Sequence, residues 1–193
     1  KNTENPEIIL NDFDNWIKWV NIQPLLSRIS GCSFLPDFDY GKGGRGWRDL
    51  WQDCLCLLLN GPAEVRQTLI NNFCGVRIDG SNATIIGKNP GEFIADRNNI
   101  PRVWMDHGVW PLFTTQLYIH QTADLSILLE EIPYFKDRQV SRGKELDRGF
   151  SPEDGNQLKT KSGSAYKGSV LEHILIENLV QFFNAGRHNY IRL

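Results

Sequence analysis

Residues 44–53 read Gly-Arg-Gly-Trp-Arg-Asp-Leu-Trp-Gln-Asp, and they open the most strongly helical part of the sequence. The spacing of apolar residues predicts a helix over 47–59. Its continuous apolar arc consists of Trp47, Leu50, Trp51, Cys54, Leu55, Leu57 and Leu58. The opposite arc carries Arg48, Asp49, Gln52 and Asp53, followed one turn later by Cys56 and Leu59. Because a solvated face rarely carries such apolar residues, the pattern favours a helix buried on most sides, with a charged cluster held inside at its N-terminal end.

This charged cluster is interpreted as a ligand site, because buried charges are costly unless they are paired or used. Its chemistry suits a sugar. Arginine, carboxylate and amide groups can hydrogen-bond neighbouring hydroxyls, and an indole ring can cover the apolar face of a pyranose. The alternative interpretation is a solvent-facing helix end, in which the charges simply lie in water.

Length and charge exclude several classes of protein. A chain of 193 residues with 40% hydrophobic residues can bury one sizeable core. The net charge of −2 gives no basic field for nucleic acid or an anionic membrane. No apolar run approaches the roughly 20 residues that span a bilayer. The four cysteines show no metal-ligand spacing, so the sequence predicts free thiols, no metal or cofactor, and a cytoplasmic location.

The remaining pattern predicts further helices and one β excursion. The helices are expected over 12–30, 62–74, 109–121, 125–131 and 169–185, and a short hairpin or extended excursion over 76–87. Segment 136–168 is charged and rich in glycine, which predicts a long exposed loop or insertion. The last helix carries one apolar stripe, which consists of Leu171, Ile174, Leu175, Leu179, Phe182 and Phe183.

Four segments carry a resemblance to a known family. Residues 44–53 resemble the Gly-x-Arg-Asp-x-x-Gln-Asp signature of glycoside hydrolase family 94, the cellobiose phosphorylase group, and its β-glucan phosphorylase relatives. Asp-His-Gly-Val-Trp at 106–110 is similar to the family's Asp-Asp-x-x-Trp segment, and 117–124 to its Tyr-Ile-x-x-Thr-Gly-Asp stretch. Asp-Gly-Ser at 79–81 also falls where those enzymes carry it. The similarity runs from about Tyr40 to Phe135 and resumes near Val170.

The resemblance implies an all-α fold. The family fold is an (α/α)6 barrel, a six-hairpin toroid that needs more residues than this chain supplies. Residues 1–193 would therefore be the N-terminal part of the catalytic barrel domain, incomplete and interrupted by one short β-hairpin excursion. The family's general acid lies in a Trp-Asn-Asp segment that follows the helix resembled by 170–185. That triplet is absent here, so we expect an internal fragment with no catalytic residue of its own, the acid beyond Leu193, and no activity in isolation.

The resemblance also implies an activity, which is inverting phosphorolysis of β-glucosidic linkages in a di- or oligosaccharide, with release of α-glucose 1-phosphate. Inorganic phosphate would be the co-substrate, no other cofactor would be needed, and the complete enzyme would be a homodimer. Phosphate replaces the water that a second carboxylate activates in an inverting hydrolase.

The resemblance assigns roles to individual residues. Arg48 and Asp49 would hold hydroxyls of the glucosyl unit, with Gln52 and Asp53 in support. Asp106 and His107 would lie near the sugar, although His107 stands where the family commonly has a second Asp. Trp104 and Trp110 are candidate stacking platforms, with a role in the core as the alternative. Trp47 is a further candidate for substrate binding. Lys42, or Arg45 in its place, would bind phosphate.

Two alternatives remain open at this point. One is an inverting glycoside hydrolase of the same fold, which would act without phosphate. The other is a non-catalytic carbohydrate-binding fragment. The linkage, β-1,2, β-1,3 or β-1,4, does not follow from these residues.

Overall fold

A computed structural model of the chain describes residues 6–30, 46–87, 89–95, 106–140 and 145–190. These residues form five α-helices: α1 (Pro6–Ser30), α2 (Trp47–Asn60), α3 (Pro62–Phe73), α4 (Val109–Thr122) and α5 (Val170–Phe183). They also form six short strands: β1 (Ile85–Ile86), β2 (Phe93–Ala95), β3 (Glu131–Pro133), β4 (Gln139–Val140), β5 (Glu145–Leu146) and β6 (Lys167–Ser169).

The strands correct the predicted fold class. They pair antiparallel as β1–β2, β3–β6 and β4–β5, which makes three two-stranded sheets within the described residues. The fold is therefore mixed α and β, and the expectation of an all-α incomplete toroid with a single hairpin excursion is wrong. The periodicity identified the helices well, but strands of two or three residues are too short to show an alternating pattern.

The core is built where α2, α3 and α4 meet. Trp51 is fully buried at its centre, and its ring meets Phe73 of α3 edge-on with ring centroids 4.7 Å apart. Thr114 of α4 donates its hydroxyl to the backbone oxygen of Trp51 at 3.4 Å. Pro62 starts α3, where a missing backbone N–H does no harm. The predicted buried arc of α2 is confirmed for Trp47, Leu50, Trp51, Cys54 and Leu58.

The opposite arc of α2 corrects the expectation of a helix buried on most sides. Arg48, Asp49, Gln52 and Asp53 are half-buried rather than enclosed, and Leu59 is 79% exposed. The charged cluster therefore lies at the surface end of the helix, where water reaches it.

Two glycine turns let the backbone of helix α5 pack closely against the rest of the molecule. A side chain at Gly80 would come within 2.5 Å of the backbone oxygen of Ile176, and one at Gly108 within 2.8 Å of the backbone oxygen of Glu177. Gly80 also has a φ of +80°, a conformation that favours glycine. Ser169 and Glu172 form a capping box that fixes where α5 begins.

The apolar stripe of α5 faces mostly outward. Of its six residues only Ile174 is buried, while the exposed fraction rises from 41% at Leu171 to 77% at Phe182. The face turned inward consists of Val170, His173, Ile174, Glu177, Val180 and Gln181. Val170 and Ile174 of this inward face join the hydrophobic core, and the backbone of α5 packs closely against Gly80 and Gly108.

Segment 136–168 is not wholly an exposed loop. It contains β4, β5, part of β6 and an antiparallel bridge between Phe135 and Gln157. Asp137 is 6% exposed and holds the Arg77 guanidinium with two bonds, 2.7 Å to Nη2 and 3.1 Å to Nε. This buried ion pair fixes the start of the segment to the body of the protein.

Helix α1 runs through Pro24 without a break between Pro6 and Ser30. Its side chains over 11–22 are exposed, including Phe13, Trp16 and Trp19.

Candidate functional site

The candidate site is centred on an ion pair between Arg48 of α2 and Asp106, which lies just before α4. Arg48 Nη2 donates to Asp106 Oδ1 at 3.1 Å, and Arg48 Nε lies 2.5 Å from Asp106 Oδ2. The Arg48 side chain is 43% exposed and that of Asp106 is 30% exposed. The structure thus joins two residues that the sequence selected from motifs 58 positions apart, and leaves both within reach of a ligand.

Asp106 is held ionised by its partners. Partial burial raises the pKa of its carboxyl group, but the hydrogen bonds from Arg48 and Trp110 outweigh burial and bring the pKa below its usual value. Trp110 supplies its indole N–H to Oδ2 at 3.2 Å from one turn further along the chain. A carboxylate fixed in this way can accept a hydrogen bond from a sugar hydroxyl without itself needing to move.

His107 is buried beside this pair and is neutral. Burial lowers the pKa of its imidazole to about 4, against the opposing attraction of Asp106. His107 Nδ1 lies 3.0 Å from Asn82 Oδ1, and Asn82 Nδ2 donates to the backbone oxygen of Ala83. Because the amide oxygen can only accept, the Nδ1–H of His107 donates to it, and this assigns the neutral tautomer.

The candidate tryptophans have different positions, and Trp104 lies outside the described residues. Trp47 is 1% exposed and packs edge-on against Trp51 with ring centroids 5.6 Å apart, so its ring lies in the core. Its indole N–H donates to the backbone oxygen of His107 at 3.1 Å, which supports the site from behind. Trp110 is half-buried beside Asp106 and packs partly against the hydrophobic core.

The structure does not bring all of the other predicted residues to the Arg48–Asp106 pair. The Asp49 carboxylate lies over Gly46 in the first turn of α2, where the helix dipole stabilises a negative charge. No hydrogen bond between described residues joins Asp49 or Gln52 to the Arg48–Asp106 pair. Asp53 is half-buried one turn further along the same face. The candidate phosphate ligands Lys42 and Arg45 lie outside the described residues.

Sequence reasoning missed the polar support on the other side of the site. Asp79 accepts from the Ser81 hydroxyl at 2.6 Å and from its backbone N–H at 2.9 Å, and this turn presents Asn82 to His107. Arg77 Nη1 reaches Ser81 Oγ at 3.4 Å. The Asp-Gly-Ser motif had been noticed only as a resemblance. An Asp two positions before a Ser is itself a signal for a side-chain-stabilised turn.

The 117–124 motif has a structural role. Asp124 accepts from the Ser126 backbone N–H and so starts the 3-10 helix Leu125–Leu129. It also accepts from Tyr118 Oη and Arg66 Nε, both at 2.8 Å. These hydrogen bonds from Ser126, Arg66 and Tyr118 hold the pKa of Asp124 well below its usual value.

Behind the site, α5 buries a carboxyl group. Glu177 is 1% exposed, and neither carboxyl oxygen has a hydrogen-bond partner among the described residues. It lies against Gly108, directly after the Asp106–His107 dipeptide. Burial raises the pKa of Glu177 well above its usual value, so the group is favoured in its neutral form.

Neither a metal cluster nor a membrane-spanning helix was found in the part of the chain that the structure describes. Its His, Cys, Asp and Glu residues form no group of three that could hold a metal ion. None of the helices there has the length and apolar character needed to cross a bilayer.

No protein-family model matches this chain, and no curated protein sequence matches it. The functional interpretation therefore depends on the residues and their geometry.

Proposed function

We propose that the Arg48–Asp106 pair binds a glucosyl unit in an enzyme that phosphorolyses β-glucosidic linkages by inversion. The observation that carries the proposal is that Arg48 and Trp110 both hydrogen-bond the Asp106 carboxylate at a half-exposed position. A charged donor, an ionised acceptor and an indole ring within one cluster are the groups that hold sugar hydroxyls and cover a pyranose face.

The proposed reaction proceeds in one displacement. A phosphate oxygen forms a bond to the anomeric carbon while the glycosidic C–O bond breaks, and a general acid protonates the departing oxygen. No described residue is assigned as that acid. Asp49 and Asp106 would hold the sugar hydroxyls, and Lys42 and Arg45, outside the described residues, would bind phosphate. Neutral His107 would support Asp106 without adding a charge.

The sugar site is tested by titration of the chain with laminaribiose, cellobiose and sophorose, followed by NMR through the indole N–H signal of Trp110. We expect Arg48→Ala to lower affinity at least tenfold. Arg66→Ala is the matched control, because Arg66 makes a comparable ion pair with Asp124 away from the site. If Arg48→Ala and Arg66→Ala bind equally well, the Arg48–Asp106 pair is not the sugar site.

A requirement for inorganic phosphate distinguishes the proposed activity from hydrolysis. With the complete protein we expect α-glucose 1-phosphate only when inorganic phosphate is present, and its loss in Asp49→Asn. Free glucose formed without phosphate would show an inverting hydrolase. Sugar binding with neither product would show a carbohydrate-binding protein.

We also propose a cytoplasmic location. The cysteines Cys54, Cys56 and Cys74 are free thiols, as is usual in a reducing compartment. Fractionation of cells followed by immunodetection tests this, and recovery from the secreted fraction would contradict it.

A further inference from the structure

A cleft lies between α1, α2, α3 and the β1–β2 hairpin, and neither Arg48 nor Asp106 lines it. Its volume is about 640 Å³, inside the range of about 300–1,000 Å³ typical of small-molecule sites. The cleft is therefore large enough for a ligand of its own. We call it the amide cleft because six carboxamide residues line it: Asn21, Asn60, Gln67, Asn71, Asn72 and Asn89.

The lining favours a neutral ligand rich in hydroxyl groups. Glu64 is the only ionisable side chain among the described residues that line the amide cleft, so nothing there would neutralise an anion. Each carboxamide offers both a donor and an acceptor, which matches hydroxyl groups that also do both. A phosphate or a carboxylate ligand would instead call for arginine or lysine.

The polar groups are arranged in a row along α3. Glu64, Gln67, Thr68 and Asn71 have the i, i+3, i+4 and i+7 spacing of a single helix face, which spans about 10 Å. Gln67 Nε2 donates to Asn71 Oδ1 at 3.0 Å and orients both amides. This bond leaves Gln67 Oε1 to accept and Asn71 Nδ2 to donate. A row of this length fits several linked sugar units better than one.

Apolar side chains complete the amide cleft. Leu57 of α2 is half-buried, and Leu25 of α1 is 52% exposed. Together they offer an apolar wall against which the C–H faces of pyranose rings can pack. Polar groups on one side and an apolar wall on the other are the combination that a carbohydrate chain requires.

We propose that the amide cleft binds a β-glucan oligosaccharide at a site separate from the Arg48–Asp106 pair. The choice of a β-glucan rests on the proposed function, whereas the neutral, hydroxyl-rich character of the ligand follows from the lining. An extended peptide is the less suitable occupant, because β1 and β2 have only two and three residues and offer little edge for strand pairing. Such a cleft would hold a long substrate at the surface of the protein.

The test is an NMR titration of the 193-residue chain with laminarihexaose, read at the side-chain amides of the amide cleft and at the indole N–H of Trp110. We expect saturable shifts at Gln67 and Asn71, and an affinity at least tenfold lower in the double variant Gln67→Ala/Asn71→Ala. Gln67 is exposed and Asn71 half-buried, and alanine is a good helix former, so the variant should fold. Gln116→Ala, at an exposed position of α4, is the matched control.

The outcomes separate this inference from the proposed function. Arg48→Ala should leave the shifts at the amide cleft unchanged. Shifts at Trp110 with none at the amide cleft would overturn the present inference alone, and shifts at the amide cleft with none at Trp110 would contradict the proposed function alone. Equal binding of maltohexaose would overturn the β-glucan assignment. Binding of an extended polyalanine-based peptide in place of laminarihexaose would overturn the carbohydrate assignment.

Discussion

Helices α2 and α5 each carry an apolar stripe, and they place it on opposite sides. The stripe of α2 faces inward, with Trp51 fully buried and Leu50 3% exposed. The stripe of α5 faces outward, with Leu175 half-exposed and Phe182 77% exposed, while His173 and Glu177 are buried. Periodicity therefore predicts that a helix has two unlike faces, but it does not say which of them the core will take.

The difference originates in what each helix packs against. Helix α2 meets α3 and α4 through large side chains, so its apolar arc supplies the contact. Helix α5 meets the turns at Gly80 and Gly108 through its own backbone. Such close contact is possible only because glycine has no side chain. The shape of the two turns therefore helps to decide which face of α5 packs inward.

The largest expected effect comes from truncation in the inward stripe. Trp51→Ala removes a fully buried ring from contact with Trp47 and Phe73. We expect it to lower the free energy of unfolding by about 3–5 kcal/mol. Leu175→Ala removes a half-exposed side chain from the outward stripe and should cost less than about 1 kcal/mol.

Urea denaturation of both variants checks this comparison. Equal losses in Trp51→Ala and Leu175→Ala would mean that the α5 stripe is buried in solution, and the contrast between the two helices would disappear.

The sequence predicted the helices better than it predicted the fold. Five α-helices were expected near the positions where they occur, because each has 3.6-residue periodicity or a recognisable start such as Pro62 or Ser169. The mixed architecture was missed. Asp137, in a charged segment interpreted as an exposed loop, pairs with Arg77 from 60 positions earlier, and no local pattern indicates such a pairing.

In the candidate site, too, local sequence patterns predicted some of the residues and missed others. Arg48 and Asp106 were both selected from local motifs, and the structure places them in contact. The sequence selects Trp47 both for the buried arc of α2 and for substrate binding, and the structure places its ring in the core. Asn82 was not selected at all, because its role depends on the distant His107.

The second prediction concerns the stability of the folded protein at low pH. The pKa of His107 is about 4 in the folded chain, below the ordinary 6.5, because the ring is buried. The unfolded chain therefore binds more protons between pH 6.5 and pH 4, and stability falls as the pH falls through that window. The slope should be about 1.4 kcal/mol per pH unit.

His107→Gln should remove this contribution, since glutamine does not titrate there. Unfolding free energies measured between pH 4 and pH 7 test it, with the exposed His120→Gln as control. Identical slopes in the native protein and in His107→Gln would show that His107 is not buried as a neutral ring.

The third prediction concerns Glu177, on the inward face of α5. Here the dependence of stability on pH has the opposite sign to that of His107. The pKa of Glu177 is raised by burial, so the folded chain holds a proton that the unfolded chain releases above about pH 4.5. Stability should therefore fall as the pH rises from there towards the folded pKa, by up to about 1.4 kcal/mol per pH unit.

Glu177→Gln keeps the shape of the side chain and stays neutral, so its stability should decline less between pH 5 and pH 8. Glu153→Gln, at an exposed position, is the control and should follow the native protein. A native-like decline in Glu177→Gln would show that Glu177 is solvated, and that α5 does not bury its polar face.

The smallest effect on stability is expected on the outward face of α5, where association should change instead. Leu171, Leu175 and Phe182 are 41%, 50% and 77% exposed along one side of the helix, and an apolar surface of this kind promotes contact between molecules. Phe182→Glu should shift sedimentation towards the monomer while changing the free energy of unfolding by less than about 0.5 kcal/mol. Leu59→Glu is the control, because Leu59 is just as exposed, at 79%, but lies at the C-terminal end of α2. If Leu59→Glu alters sedimentation as much as Phe182→Glu does, association depends on general surface hydrophobicity and the α5 stripe has no special part in it.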